Sequence, residues 1–179
     1  MINKCVHSLI LTLLILCTFS NVTAGPSLLI SEVFYDTPGT DSKEEWIEVF
    51  NSTSNQLDIG NYKLKDSPSG TYTIPVGTVI ESGQTMIFAK NTAGFAALYG
   101  FNPDFGNLSL SLSNSGDFVK LFDATDNLLD IVAWEGKLPG WAGLAANTGE
   151  SLVRISFEQG PSAWLGNQTP TPGSVVPEP

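Results

Sequence analysis

Short strand-like runs, several of them alternating apolar and polar positions with a period of two, recur along the chain from Leu28 onward. "LLISEVFY" (Leu28–Tyr35) and "EEWIEVFN" (Glu44–Asn51) are β-branched and aromatic runs bounded by turn residues, and both read as strands. "NYKLKD" (Asn61–Asp66) alternates large apolar residues with lysine before "SPSG" turns the chain into "TYTIP". "GTVIESGQ" leads into "TMIFAK" (Thr85–Lys90), and "ESLVRI" (Glu150–Ile155) is the last strand this pattern predicts. "GDFVKLFD" (Gly116–Asp123) and "NLLDIVAW" (Asn127–Trp134) are expected to pair as a central antiparallel hairpin through "ATDN", because Asp and Asn tolerate the backbone angles of tight turns. Its alternation puts Phe118, Lys120 and Phe122 on one face and Val119 and Leu121 on the other, the core-facing one. The one helical candidate is short, "AGFAALYG" (Ala93–Gly100). Short strands with frequent turn signals predict an all-β sandwich or barrel, with no internal repeat and no second domain.

The first residues break this pattern. Met1–His7 carries one lysine, Leu9–Phe19 is apolar except for Thr12, Cys17 and Thr18, and Val22-Thr23-Ala24 offers small residues before Gly25. That is the layout of a secretory signal peptide over 1–24, cleaved between Ala24 and Gly25. The apolar run is shorter than the roughly 20 residues a membrane span requires.

Cleavage there changes the chemistry that remains. Both cysteines, Cys5 and Cys17, and the single histidine, His7, lie in the expected leader. A disulfide framework, a Ser-His-Asp triad, a cysteine nucleophile and a typical zinc site are then all unavailable. The net charge of −10 becomes one unit more negative with the loss of Lys4. An acidic chain with few Lys and Arg is a poor match for the nucleic-acid backbone, and no nucleic acid is expected as partner.

Several segments then fall in a familiar order. "ISEVFYD", "EEWIEVFN", "IGNYKLKD", "IPVGTVIESGQ", "LSLSNSGDFVKLFD", "LLDIVAWEG", "GESLVR" and "TPTPG" together resemble the lamin tail domain family over Leu28 to Gly173. The resemblance implies an immunoglobulin-like β-sandwich, expected here over 25–167. It also implies a binding or tethering module of the kind found on exported and surface proteins of bacteria. No catalytic residue and no cofactor come with it. The expected location is secreted or in the cell envelope, and the expected partner is a protein or glycan there.

Three glutamates surround a tryptophan in "KEEWIEVFN", which raises the question of carboxylate catalysis. In a strand, Trp46, Glu48 and Phe50 share one face, and Glu45, Ile47 and Val49 share the other. Glu45 and Glu48 therefore point apart and cannot form a glycosidase pair, which needs two carboxylates about 5–9.5 Å apart across a cleft. With Ile47 and Val49 inward, Glu48 is expected on the outer sheet face beside two aromatic rings. With the faces reversed, it is buried and needs a hydrogen-bonding partner. Glu48 and Trp46 are thus candidate ligand contacts. Trp141, in the connection "GKLPGWAGLAANTG", is a third: it either stacks on a sugar or folds back as a lid over the core.

The alternative function is a small secreted carboxylate-based hydrolase, with calcium assistance from the oxygen-rich loops "YDTPGTDSKEE" and "DATDNLLD". Neither loop has the ligand spacing of a helix–loop–helix calcium site, so no metal is assigned. Two carboxylates from different strands meeting in a concave pocket would favour that reading. From Gln168 onward, 168–179 reads as a proline-rich tail. Its last residues, "VPEP" (Val176–Pro179), resemble the opening of a PEP-C-terminal sorting signal, which leaves two readings: a proline-rich tail that ends this way by chance, or a sorting signal cut short at Pro179.

Overall fold

The computed structural model describes residues 27–67 and 69–174. The expected leader with its Ala24–Gly25 cleavage point, and the VPEP segment, lie outside the described residues.

Two antiparallel sheets pack face to face. The first has five strands in the order β11-β10-β1-β2-β7: β1 is Leu28–Phe34, β2 Trp46–Asn51, β7 Thr85–Ala89, β10 Ser151–Arg154 and β11 Trp164–Gln168. The second has four strands in the order β5-β4-β8-β9: β4 is Lys63–Lys65, β5 Thr71–Thr73, β8 Phe118–Phe122 and β9 Leu128–Ala133. A small ribbon pairs β3 (Leu57–Asp58) with β6 (Val79–Ile80). Two helices, α1 (Asp41–Glu44) and α2 (Thr92–Tyr99), and a 3₁₀ turn at Pro161–Ala163 complete the described elements. This is the all-β, immunoglobulin-like architecture that the alternation and the family resemblance lead one to expect.

The core lies between the sheets. Ile30, Val33, Ile47 and Val49 face it from one side, and Leu64, Val119, Leu121 and Val132 from the other. In β8 the predicted faces hold: Val119 and Leu121 are fully buried while Phe118, Lys120 and Phe122 remain partly exposed. The β8–β9 hairpin forms as expected, but β9 is the edge strand of its sheet, so the hairpin is not central.

A bulge decides which residues of β1 face inward. The register with β2 slips between Ile30 and Glu32. Uninterrupted alternation from Leu28 and Ile30 would turn Glu32 into the apolar core. The extra residue, Ser31, restores Val33 and Tyr35 to the core and sends Glu32 to the opposite face. Bulges re-aim side chains in this way at the cost of one unpaired residue.

That opposite face is covered, which the strand pattern did not foretell. Three cross-strand pairs line it: Leu29 with Phe50, Glu32 with Glu48, and Phe34 with Trp46. Phe157 packs on Phe50 with ring centroids 5.7 Å apart. Helix α2 covers Trp46 with Phe95 and Tyr99, whose rings meet the indole edge-on at 6.0 and 5.9 Å. Asn91 caps that helix by accepting a hydrogen bond from the Gly94 N–H. Every residue of β1 and β2 is consequently buried.

The C-terminal boundary also differs from the expectation. Gln168 closes β11, a strand absent from the sequence reading, and the segment after it does not leave the domain. It returns across the middle pair of the covered face.

Candidate functional site

Glu32 and Glu48 are direct partners on adjacent strands, 2% and 0% exposed. Opposed side chains in an antiparallel pair have their β-carbons about 4.5–5.5 Å apart, so the two carboxyl groups share one small volume. Each is held by donors. The Ser151 hydroxyl donates to Glu32 Oε1 at 2.6 Å, and Thr171 donates its N–H to the same oxygen at 2.9 Å and its hydroxyl to Oε2 at 3.0 Å. The Ser31 hydroxyl donates to Glu48 Oε1 at 2.7 Å, and the Gly173 N–H to Oε2 at 2.6 Å. The segment 171–173 is therefore a strap laid over two carboxylates. Pro172 between its two donors has no N–H to leave unpaired.

Burial governs the electrostatics of this pair. It pushes the Glu48 carboxyl up to about 7, against the Gly173 and Ser31 hydrogen bonds, and the nearby Glu32 charge adds to the rise. Burial likewise raises Glu32, opposed by Ser151 and Thr171. Glu45 is also pushed up to about 7 by burial, in a separate place. It accepts from the Leu112 N–H at 3.4 Å and lies 3.8 Å from Lys90 Nζ, both of which lower it.

Two carboxylates from different strands do meet here, then, but not in a pocket. A sheet lies beneath them and the strap above. Among the clefts that indent the described surface are two of about 400 and 200 Å³, and neither of these is lined by a carboxylate. Raised carboxyl pKa values mark catalytic sites only where substrate has access. These two groups accept internal hydrogen bonds instead.

The remaining sequence candidates are buried as well. Trp46 is fully buried, and its indole N–H donates to the Tyr99 hydroxyl at 3.1 Å. Glu48 is on the outer sheet face, as Ile47 and Val49 facing inward require, yet the strap covers it and no aromatic ring is left for a ligand beside it. Trp141 is 6% exposed and packs against the main core, the arrangement of a lid. None of the three is presented to a ligand on the open surface.

The acidic loops spend their oxygens locally. Asp41 Oδ1 accepts from the Thr37 hydroxyl at 2.8 Å, Glu44 Oε2 from the Gly39 N–H at 3.0 Å, and Asp36 Oδ2 from the Thr148 hydroxyl at 3.0 Å. Asp123 accepts from the N–H groups of Thr125 and Asn127, and these bonds, with the Asn127 side chain foremost, lower it to about 2. Among the described residues no group of three or more His, Cys, Asp or Glu side chains is placed to hold a metal ion. No described helix is long and apolar enough to cross a membrane.

Sequence reasoning passed over Glu32, the partner that gives Glu48 its setting. The available signal was an acid inside the apolar run "LLISEVFY", matched by another in the following strand.

The family model for the lamin tail domain matches residues 21–136, which includes both glutamates and excludes the strap. Comparison with curated proteins finds no match. The match spans well over half of the chain and agrees with the sandwich described above: the chain belongs to the lamin tail domain family, a family of non-catalytic, immunoglobulin-like β-sandwich modules of the interaction type.

Proposed function

We propose that this domain is a non-enzymatic interaction or tethering module acting outside the cytoplasm, secreted or held in the cell envelope, with a protein or glycan there as its ligand. One observation carries the non-enzymatic part: the carboxylate pair best suited to hydrolysis, Glu32 and Glu48, is roofed by residues 171–173 and engaged by five internal hydrogen bonds. The family adds a precedent for sandwiches that bind without turning over. The leader-like start of the sequence supports the location.

Two experiments test this reading. N-terminal sequencing of exported protein is expected to begin near Gly25, and a cytoplasmic protein that keeps Met1 overturns the location. Immobilised domain is expected to retain a defined envelope protein or glycan while releasing no product from glycoside and ester substrates. Turnover that Glu48→Gln abolishes would replace the module with a hydrolase.

A further inference from the structure

The outer face of the four-stranded sheet concentrates positive charge on an acidic protein. Because Leu64, Val119 and Leu121 fill the core, β4 and β8 turn Lys63, Lys65 and Lys120 outward, flanked by Phe118 and Phe122. Three of the chain's eight Lys and Arg residues stand together here, although its net charge is −10. Lys65 lies directly opposite Lys120 in the strand register. Like charges directly opposite each other on neighbouring strands oppose sheet formation. Each ammonium rests over a ring: Lys65 Nζ is 4.8 Å from the Phe122 centroid, and Lys120 Nζ is 4.9 Å from that of Phe118. Lys63 and Lys65 share the Asp126 carboxylate at 2.7 and 3.8 Å, whereas Lys120 has no anionic partner among the described residues. The cleft of about 200 Å³ lies among these groups, with Ser67 at its border.

We propose that this face binds an acidic glycan, a polymer of uronic acid residues. The inference rests on the interaction-module reading and names the ligand class. A uronate residue brings what the face lacks: one carboxylate to lie between Lys65 and Lys120, and apolar C–H surface to pack on Phe118 and Phe122. Duplex DNA fits less well, since its one charge per about 1.7 Å of axis meets stronger long-range repulsion from the acidic remainder of the protein than a polymer with one carboxylate per sugar. An acidic peptide supplies carboxylates but leaves the flanks of the two rings uncovered.

The test is titration of the purified chain with oligogalacturonate, beside a neutral galactan, polyglutamate and duplex DNA. Saturable binding to oligogalacturonate that weakens with salt is expected. Lys65→Gln and Lys120→Gln are each expected to weaken it about tenfold, the equivalent of one lost charge-assisted contact. Lys120→Arg is expected to retain most of the affinity. Both glutamine substitutions point outward, and unchanged melting curves establish that the variants fold. Binding that is indifferent to the two substitutions overturns the assignment, as does preference for polyglutamate or DNA. Failure to bind oligogalacturonate at all overturns this inference alone, because retention of native envelope ligands reads the interaction module separately.

Discussion

Glu32 stands directly opposite Glu48 across β1 and β2, and the N–H groups of Thr171 and Gly173 close over the two carboxyl groups. Both groups have raised pKa values because burial outweighs the hydrogen bonds that favour their charge. In the folded chain Glu48 keeps its proton up to about pH 7, while in the unfolded chain it releases it near its ordinary value of 4.5. Between those limits the native state binds more protons, so stability is full below the lower limit and falls as pH rises toward the upper one. Glu45 acts over the same window. The loss from Glu48 alone is expected to reach up to about 3 kcal/mol. Urea unfolding between about pH 5 and pH 8 reads it directly. Glu48→Gln is expected to flatten the slope without abolishing it, since Glu32 and Glu45 remain.

Gly173 tests the strap itself. Its N–H reaches Glu48 Oε2, and its φ of 87° is one that L side chains rarely adopt. Gly173→Pro removes the donor and cannot reach that φ, so a loss of about 1–3 kcal/mol is expected from the acceptor left unpaired, plus strain. Gly173→Ala keeps the donor, and its new Cβ meets no atom within 4 Å. It should cost only the left-handed backbone, about 1 kcal/mol. Equal melting temperatures for all three proteins would mean that the segment is a free tail.

The same strap shows where sequence reading stops. Period-two alternation assigned the faces of β8 correctly because one side of that strand meets the core and the other meets solvent. In β1 and β2 both faces are covered, and what covers the outer one lies far along the chain. Thr171 and Gly173 meet glutamates placed 139 and 125 positions earlier. Nothing local in "TPTPG" signals this, so proline content alone made it read as a tail. Strand β11 escaped notice for a related reason: "WLGNQ" has little strand propensity of its own and is ordered by pairing with β10. The slip at Ser31 was equally hidden, because a bulge is set by which side chains must reach the core.

Leu121 is a simple test of the sandwich. It is fully buried on β8, opposite Leu64 on one side and Asp130 on the other. Leu121→Ala is expected to cost about 2–5 kcal/mol, the transfer free energy of the lost methyl groups plus the cavity they leave. Denaturant unfolding measures this, and a loss within error would place Leu121 outside the core.

Asp130 and Arg154 join the two sheets through the core, one from β9 and one from β10, with both side chains fully buried and 2.5 Å between Oδ2 and Nη2. They also take over the backbone of Ile30 beside the β1 bulge: Asp130 Oδ2 accepts its N–H at 2.8 Å, and Arg154 Nε donates to its carbonyl at 2.7 Å. The guanidinium further donates to the Glu158 carbonyl at 2.7 Å and lies 4.8 Å over the Trp164 ring. Burial pushes the Asp130 carboxyl up, and the Arg154 charge pulls it back. Removing either partner strands the other charge in the core, so Arg154→Ala and Asp130→Ala are each expected to cost about 3–5 kcal/mol. Asp130→Leu with Arg154→Met removes both charges and refills the space, at the expense of unpaired Ile30 backbone groups. The double variant should therefore be less destabilised than the sum of Asp130→Leu and Arg154→Met measured singly, by about 1–3 kcal/mol in a double-mutant cycle. Strict additivity would mean that the two charges do not depend on each other, and that the sheets are held at this point by packing alone.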